Sequence, residues 1–200
     1  MAIDHTIVLA SRSPRRVELL QRLVVDFEVV PADIDETPHP HEDPVAYVQR
    51  LALEKARAVY LASETTAIVI GADTTVDLNG DILGQPIDDD DDTRRMLRLL
   101  SGTTHRVHTG VAVVSSRGEQ VEVVSSDVTF MPVSPQMLDW YIGTGESAGK
   151  AGSYAIQGHG SAFVASSTGS MSNIIGLPLE ETANLLALAG VAVTEPTHEI

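Results

Sequence analysis

Six consecutive residues, Ser11-Arg12-Ser13-Pro14-Arg15-Arg16, place two hydroxyls and three guanidinium groups where a strand hands over to a helix. The preceding run, Ile7-Val8-Leu9-Ala10, is short and apolar, as a buried strand requires. Val17, Leu19, Leu20 and Leu23 behind it share one helical face. Ser13 suits the N-cap and Pro14 the first helical turn. Unpaired backbone N–H groups and the positive end of the helix dipole favour an anion at that point. Arg15 and Arg16 add forked donors that match phosphate. An ordinary capped helix with solvated arginines is the competing reading of the same residues.

Four other places carry chemistry. Asp73 stands in Val69-Ile70-Gly71-Ala72-Asp73-Thr74-Thr75-Val76, where a carboxylate is costly unless paired, protonated or metal-bound. It either ends the strand and caps a turn or has a function, and Val76 beyond it favours function. Lys55 falls inside an amphipathic helix, either solvated near Glu54 or turned inward to stabilise phosphate charge. Asp33, Asp35 and Glu36 form an acidic loop. Such a loop is usually only solvated, but beside a phosphate site it suits Mg²⁺, which takes one or two carboxylates with substrate oxygens and water. Lys150 and Gln157 lie in a glycine-rich stretch, and the Gln157 amide offers a paired donor and acceptor to a base edge. His39, His41, His105 and His108 show no metal-ligand spacing. No HExxH occurs, and no serine sits in a GxSxG elbow: the match Gly145-Glu146-Ser147-Ala148-Gly149 falls in a glycine-rich loop rather than a strand-to-helix turn, so zinc hydrolysis and Ser-His-Asp catalysis have no local support.

These groups need elements to position them. The 200 residues, 43% hydrophobic, suit a single domain over 1–200, built as two interlocked lobes. Strands are expected over Thr6–Ala10, Phe27–Val30, Ala67–Val76, Ile82–Gly84, Val107–Val114, Gln120–Met131, Tyr154–Ile156 and Ala162–Ser166. Helices are expected over Pro14–Leu23, Pro44–Leu61 capped by Asp43, Thr93–Leu100 behind the run Asp88–Asp92, Ser134–Ile142 and Pro178–Ala189, with a frayed tail from Thr194. The alternation points to an α/β fold, a mixed sheet with flanking helices bent around a central cleft. Open α/β sheets bind ligands beyond the carboxyl ends of their strands, where the first motif falls.

A net charge of −15 excludes general DNA or RNA binding and adhesion to anionic membranes. Any nucleotide ligand must be small and enter a locally basic cleft. Lysine occurs only at Lys55 and Lys150, while aspartate is abundant, a pattern expected of adaptation to a salt-rich cytoplasm. With lysine nearly gone, the two survivors are candidates for roles that arginine cannot fill. The chain has no cysteine, hence no disulfide or thiolate chemistry. It shows no signal peptide and no apolar run of membrane-spanning length, so a cytoplasmic protein is expected.

The ordered set of motifs resembles the Maf family of nucleoside triphosphate pyrophosphatases, also described as septum-formation inhibitors. The resemblance runs from about Thr6 to Ala189. It rests on Ser11–Arg16, Glu36-Thr37-Pro38, Lys55-Ala56, Gly71-Ala72-Asp73-Thr74, Leu83-Gly84-Gln85-Pro86, Leu100-Ser101-Gly102, His105-Arg106-Val107 and Thr109-Gly110-Val111. Further on, Lys150-Ala151-Gly152-Ser153-Tyr154, Ile156-Gln157-Gly158 and Gly176-Leu177-Pro178-Leu179 continue it. It implies hydrolysis of a nucleoside triphosphate to monophosphate and pyrophosphate with a divalent metal, Mg²⁺ or Mn²⁺, in a homodimer with a fold like that of inosine triphosphate pyrophosphatases. By resemblance, Asp73 accepts the proton of the attacking water, and Asp73 and Glu36 hold the metal. Lys55 neutralises phosphate charge, while Ser11, Ser13, Arg15 and Arg16 hold the substrate. The branch acting on dTTP and UTP carries the residues found here at Arg15, Thr74 and Gln157.

One position departs from the pattern. Gln85 stands where the family usually has lysine, and a neutral amide bonds phosphate without offsetting its charge. Two rivals follow: a regulatory nucleotide-binding protein acting on cell division with weak catalysis, and a pyrophosphatase of other specificity, such as an inosine triphosphate scavenger.

Overall fold

The computed structural model describes residues 6–63, 66–87 and 90–194. Seven strands form one mixed sheet: β1 (Ile7–Leu9), β2 (Glu28–Val29), β3 (Ile68–Leu78), β4 (Asp81–Leu83), β5 (Thr104–Ser115), β6 (Gly118–Phe130) and β7 (Val164–Thr168). The order is β2-β1-β3-β5-β6-β7, with β4 paired to β3. β1 runs parallel to β2 and β3, and every other pairing is antiparallel. The helices are α1 (Pro14–Leu20), α2 (Pro44–Ala62), α3 (Asp90–Leu100), α4 (Pro135–Ile142), α5 (Met171–Ile175) and α6 (Leu179–Ala189). None among the described residues is long and apolar enough to cross a membrane.

β3 and β5 are covered on both faces, which explains their near-continuous apolar runs. Ile68, Ile70, Ala72, Val111 and Val113 pack under α1 and α6. The alternate residues Ala67, Val69, Ala112 and Val114 pack under α2. A Cβ at Gly71 would lie 2.2 Å from the Ala52 carbonyl oxygen, and one at Gly110 would lie 2.3 Å from that of Val48. Only glycine at these two positions lets α2 lie directly on β3 and β5.

The cleft arises from strand lengths. One edge of β3 pairs with β5 from Val69 to Asp77. On its other edge, β1 covers Ile68–Ile70 and β4 covers Val76–Leu78. Gly71 to Thr75 therefore has no ladder partner on that edge, and Asp73 sits mid-gap. Successive strand residues face opposite sides, so Asp73 turns toward α2 and Thr74 toward α1.

Several elements differ from the sequence expectation. The strand through Asp73 continues to Leu78, so Asp73 does not cap a strand end. The first helix stops at Leu20. Residues 21–23 tighten into i→i+3 turns that still bury Leu23. α3 starts at Asp90, with Asp90–Asp92 inside its first turn, while Asp88 and Asp89 lie outside the described residues, as does the tail beyond Thr194. Tyr154–Ile156 forms no strand. Tyr154 is fixed by its side chain instead, bonded to His105 Nε2 at 2.8 Å and set edge-on to Phe130. α5, only five residues long, gave no periodic signal.

Burial alone holds the His105 imidazole down at about 4. It is neutral in the fold, whereas the unfolded chain takes up that proton near pH 6.5. Its contribution is therefore fully present above pH 6.5 and lost as pH falls toward 4. The stability of the wild type relative to His105→Leu should shrink by up to about 3 kcal/mol between neutral pH and pH 4 in urea melts. A difference constant with pH would refute a neutral buried imidazole.

Candidate active site

A cavity of about 810 Å³ opens at the gap in the β3 edge, within the usual size range of small-ligand sites. The ten residues that carry the family resemblance's site positions line it: Ser11, Ser13, Arg15, Arg16, Glu36, Lys55, Asp73, Thr74, Gln85 and Gln157. Both lysines of the chain, Lys55 and Lys150, line it as well. Asp33 lines it, but Asp35 does not. The Asp35 carboxylate accepts from the Thr37 N–H at 2.9 Å and stays at the surface, which corrects the reading of Asp35 as part of a cation-binding loop.

The floor is an ion triad. Lys55 Nζ lies 2.7 Å from Asp73 Oδ1 and 2.9 Å from Glu36 Oε2. Lys55 occupies the buried stripe of α2 together with Val48, Leu51, Ala52, Ala56 and Val59, so the helix period itself aims it at the sheet. Asp73 is 6% exposed. Burial lifts its carboxyl above the ordinary carboxylate range, against the opposing charges of Lys55 and Arg16. Glu36 is nearly half exposed, and its loop is tied to α2 at three points. Tyr47 donates to the Glu36 carbonyl at 2.9 Å. Arg50 grips Glu42 bidentately, both contacts at 2.7 Å, and also reaches the Thr37 carbonyl at 3.3 Å. The Arg50 bonds hold the Glu42 carboxyl down at about 2.

The wall is built around Arg16. Its Nε donates to the Gly176 carbonyl at 2.8 Å, its Nη1 to Ser11 Oγ at 3.4 Å and its Nη2 to Thr74 Oγ1 at 3.0 Å. Thr74 Oγ1 lies 2.9 Å from Thr109 Oγ1, which donates to the Asn173 carbonyl at 2.9 Å. The donor order is fixed by the ends of the chain, from Arg16 through Thr74 and Thr109 to Asn173. Arg16 is thus held from two carbonyls of the α5 segment, one directly and one through two threonines. Thr74 orients Arg16, a role that its position beside Asp73 did not suggest. Ser13 serves as the N-cap: its Oγ accepts from the Arg16 N–H at 3.5 Å. Ser11 Oγ takes the Ser13 N–H at 3.1 Å.

Arg15 is set differently. Its Nε is buried without a hydrogen-bond partner among the described residues, and burial pulls its guanidinium down from its ordinary value. A desolvated, unpaired donor beside a cavity is costly when empty and strengthens the binding of an incoming oxygen. Gln85 reaches the rim after β4. The neighbouring Gly84 carbonyl accepts from Gly152 N at 3.0 Å, which sets the Gln85 loop beside the loop carrying Lys150. Sequence reasoning missed Thr109, Asn173 and Gly176, because each acts through a partner more than thirty residues away.

No group of three or more His, Cys, Asp or Glu side chains suited to a metal occurs among the described residues. Asp73 and Glu36 nevertheless converge on one cationic centre, the Lys55 ammonium. Two hard carboxylates that share a cation, with remaining positions left to ligand oxygens and water, match the donor set that Mg²⁺ uses in phosphate sites.

The family described as Maf-like protein matches residues 6–189. A dTTP/UTP pyrophosphatase of Anaeromyxobacter sp. (strain Fw109-5) is 54% identical over 189 residues, covering 92% of this chain and 89% of that protein. A protein of the same name from Anaeromyxobacter dehalogenans (strain 2CP-C) is 52% identical over 188 residues, 92% of this chain and 94% of that one. Another from Myxococcus xanthus (strain DK1622) is 50% identical over 192 residues, 96% of each. With its candidate site residues gathered in one cavity and about half its positions shared with these relatives, the chain belongs to the Maf-like family.

Proposed function

We propose that this protein is a nucleoside triphosphate pyrophosphatase acting on dTTP and UTP. Water attacks the α-phosphorus, pyrophosphate leaves, and the nucleoside monophosphate remains. The observation that carries the reading is the buried Asp73 carboxylate, ion-paired to Lys55 and open to a cavity lined by Arg15, Arg16 and Lys150. A carboxyl lifted by burial is a better proton acceptor than a solvated one. Asp73 takes a proton from the attacking water. Lys55 keeps Asp73 ionised and faces the charge that grows on the phosphate. The pinned Arg16 and the unpaired Nε of Arg15 offer donors to the polyphosphate. Bound Mg²⁺ or Mn²⁺, held by Asp73 and Glu36, would supply further neutralisation of the phosphate oxygens. Gln157 faces the base. The names of the relatives at about half identity support the choice of dTTP and UTP. The homodimer belongs to this reading on the strength of the family resemblance, and the cytoplasmic setting expected from the sequence is kept with it.

Gln85 raises the question of a missing cation. Lys150 lines the same cavity on the adjoining loop, and it is the one lysine outside the Asp73 triad. We assign the compensating charge to it. Gln85→Lys should then change kcat by less than about threefold, whereas Lys150→Met should lower kcat/KM by about tenfold or more, on the scale of removing one charged donor. A large gain in kcat for Gln85→Lys would show that Lys150 does not make up for the missing charge. The reading as a whole is tested by pyrophosphate release from dTTP and UTP by the purified protein in Mg²⁺, with loss of release after EDTA. Absence of pyrophosphate in Mg²⁺ and in Mn²⁺ would leave the regulatory alternative standing.

A further inference from the structure

We infer that Glu146, which lies outside the residues assigned above, is a positioning residue that sets the base-binding end of the cavity and so the preference for pyrimidine over purine nucleotides. The inference rests on the pyrophosphatase reading and deepens it.

Glu146 belongs to the turn between α4 and Lys150. Its two oxygens divide between two consecutive backbone donors far along the chain, Oε1 taking the His159 N–H and Oε2 the Gly160 N–H, each at 2.9 Å. Both donors follow directly on Gln157-Gly158, which line the cavity. The carboxylate also fills the place where a side chain at 158 would go: a Cβ there would lie 1.9 Å from Glu146 Oε1 and 2.6 Å from its Cδ. The loop bearing Gln157 is therefore seated on the Glu146 carboxylate, and Gly158 is needed for that seat. Burial would raise the Glu146 carboxyl, but the Gly160 and His159 N–H groups outweigh it and leave the carboxyl below its usual range, so the seat is charged at neutral pH.

The same carboxylate acts on the other end of the ligand. Among the charges felt by Arg15, Glu146 is the leading attractive one, and it also offsets the burial of Lys150. Arg15 and Gln157 come from opposite ends of the sequence, and Glu146 is the side chain that acts on both. Fixing their separation fixes the length available between polyphosphate and base. A one-ring base then fits, and a two-ring base must push the loop away from its carboxylate.

The chain carries its own reporter. Trp140, its only tryptophan, is half-exposed and sits edge-on to the His159 ring at 5.6 Å between centroids. Freeing the loop from Glu146 should separate the two rings and expose Trp140.

The test measures kcat and KM for dTTP and for GTP in wild type, Glu146→Ala, Glu146→Gln and Glu146→Asp, with acrylamide quenching of Trp140 on the same samples. Glu146→Ala is expected to raise KM for dTTP about tenfold with kcat within about threefold. It should also lower the dTTP-over-GTP ratio of kcat/KM at least fivefold and increase quenching. Glu146→Gln keeps one acceptor and loses the charge, so it should fall between, and Glu146→Asp should recover part of the KM. Unchanged KM and selectivity would overturn the inference, as would a loss confined to kcat. Equal losses on both nucleotides with unchanged quenching would do the same. If the wild-type protein turns over neither nucleotide, the pyrophosphatase reading fails. Equilibrium binding of dTMP and GMP, read by the same quenching, then decides the inference: a lower dTMP preference in Glu146→Ala upholds it and an unchanged preference overturns it.

Discussion

Asp73→Asn should lower kcat on dTTP by about 10²–10⁴-fold, the range set by loss of a general base. Asparagine has nearly the same shape, and its carbonyl oxygen can still accept from Lys55, so the cavity should keep its form. Stability should not fall, because the substitution removes the desolvation cost of a buried carboxylate and Lys55 retains Glu36 as partner. The expected signature is an intact melting curve, a KM within a few-fold of wild type and almost no turnover. An Asp73→Asn variant with near-normal kcat would remove Asp73 from the chemistry. A variant that loses activity only because it unfolds would show a depressed melting temperature, and Asp73→Glu then separates the two cases: it keeps the carboxylate, and proton acceptance would persist at a reduced rate.

Lys55→Met should lower kcat by about 10²–10³-fold, comparable to losing one donor from a preorganised anion site. Lys55 is the leading charge opposing the burial of Asp73. Without it the Asp73 carboxyl rises further. The sign follows directly: a proton acceptor works in its ionised form, which exists above its pKa, so raising that pKa moves the acidic limb of the pH–rate profile to higher pH. Part of the lost rate should return in alkaline buffer. Lys55→Arg should not rescue, because a broad planar fork cannot occupy the point between Asp73 and Glu36 that a compact ammonium fills. This accounts for the survival of lysine at this position in a chain whose other cations, Lys150 apart, are arginines. A Lys55→Met profile with an unmoved acidic limb and kcat within threefold would contradict the role.

Much of the site was legible because its residues violate local expectation. Asp73 is a charge in an apolar strand, Lys55 is a cation on the buried stripe of α2, and the arginines follow a capped proline. What the sequence could not show is which of them meet. Lys55 and Asp73 are 18 positions apart on different elements, and their contact depends on Gly71 and Gly110 letting α2 lie against the sheet. Asp35 and Glu36 look alike as neighbours in an acidic loop, yet Glu36 reaches the Lys55 ammonium and Asp35 stays at the surface to bond Thr37.

The fold was legible in its alternation and less so in its boundaries. Tyr154–Ile156 has the composition of a strand, but Tyr154 is captured by the aromatic cluster of His105 and Phe130, so β7 rather than this segment completes the sheet. α5 is too short to show a period, yet the carbonyls of Asn173 within it and of Gly176 just after it fix Arg16. The family resemblance made Thr74 a substrate residue, and it lines the cavity. Strand alternation turns it to the opposite face, where it holds Arg16.

The most direct test of water attack on the α-phosphorus is turnover of dTTP in ¹⁸O-water, with both products weighed by mass spectrometry. One ¹⁸O in dTMP and none in pyrophosphate is the predicted result. Label in pyrophosphate, or release of labelled orthophosphate with dTDP, would contradict it.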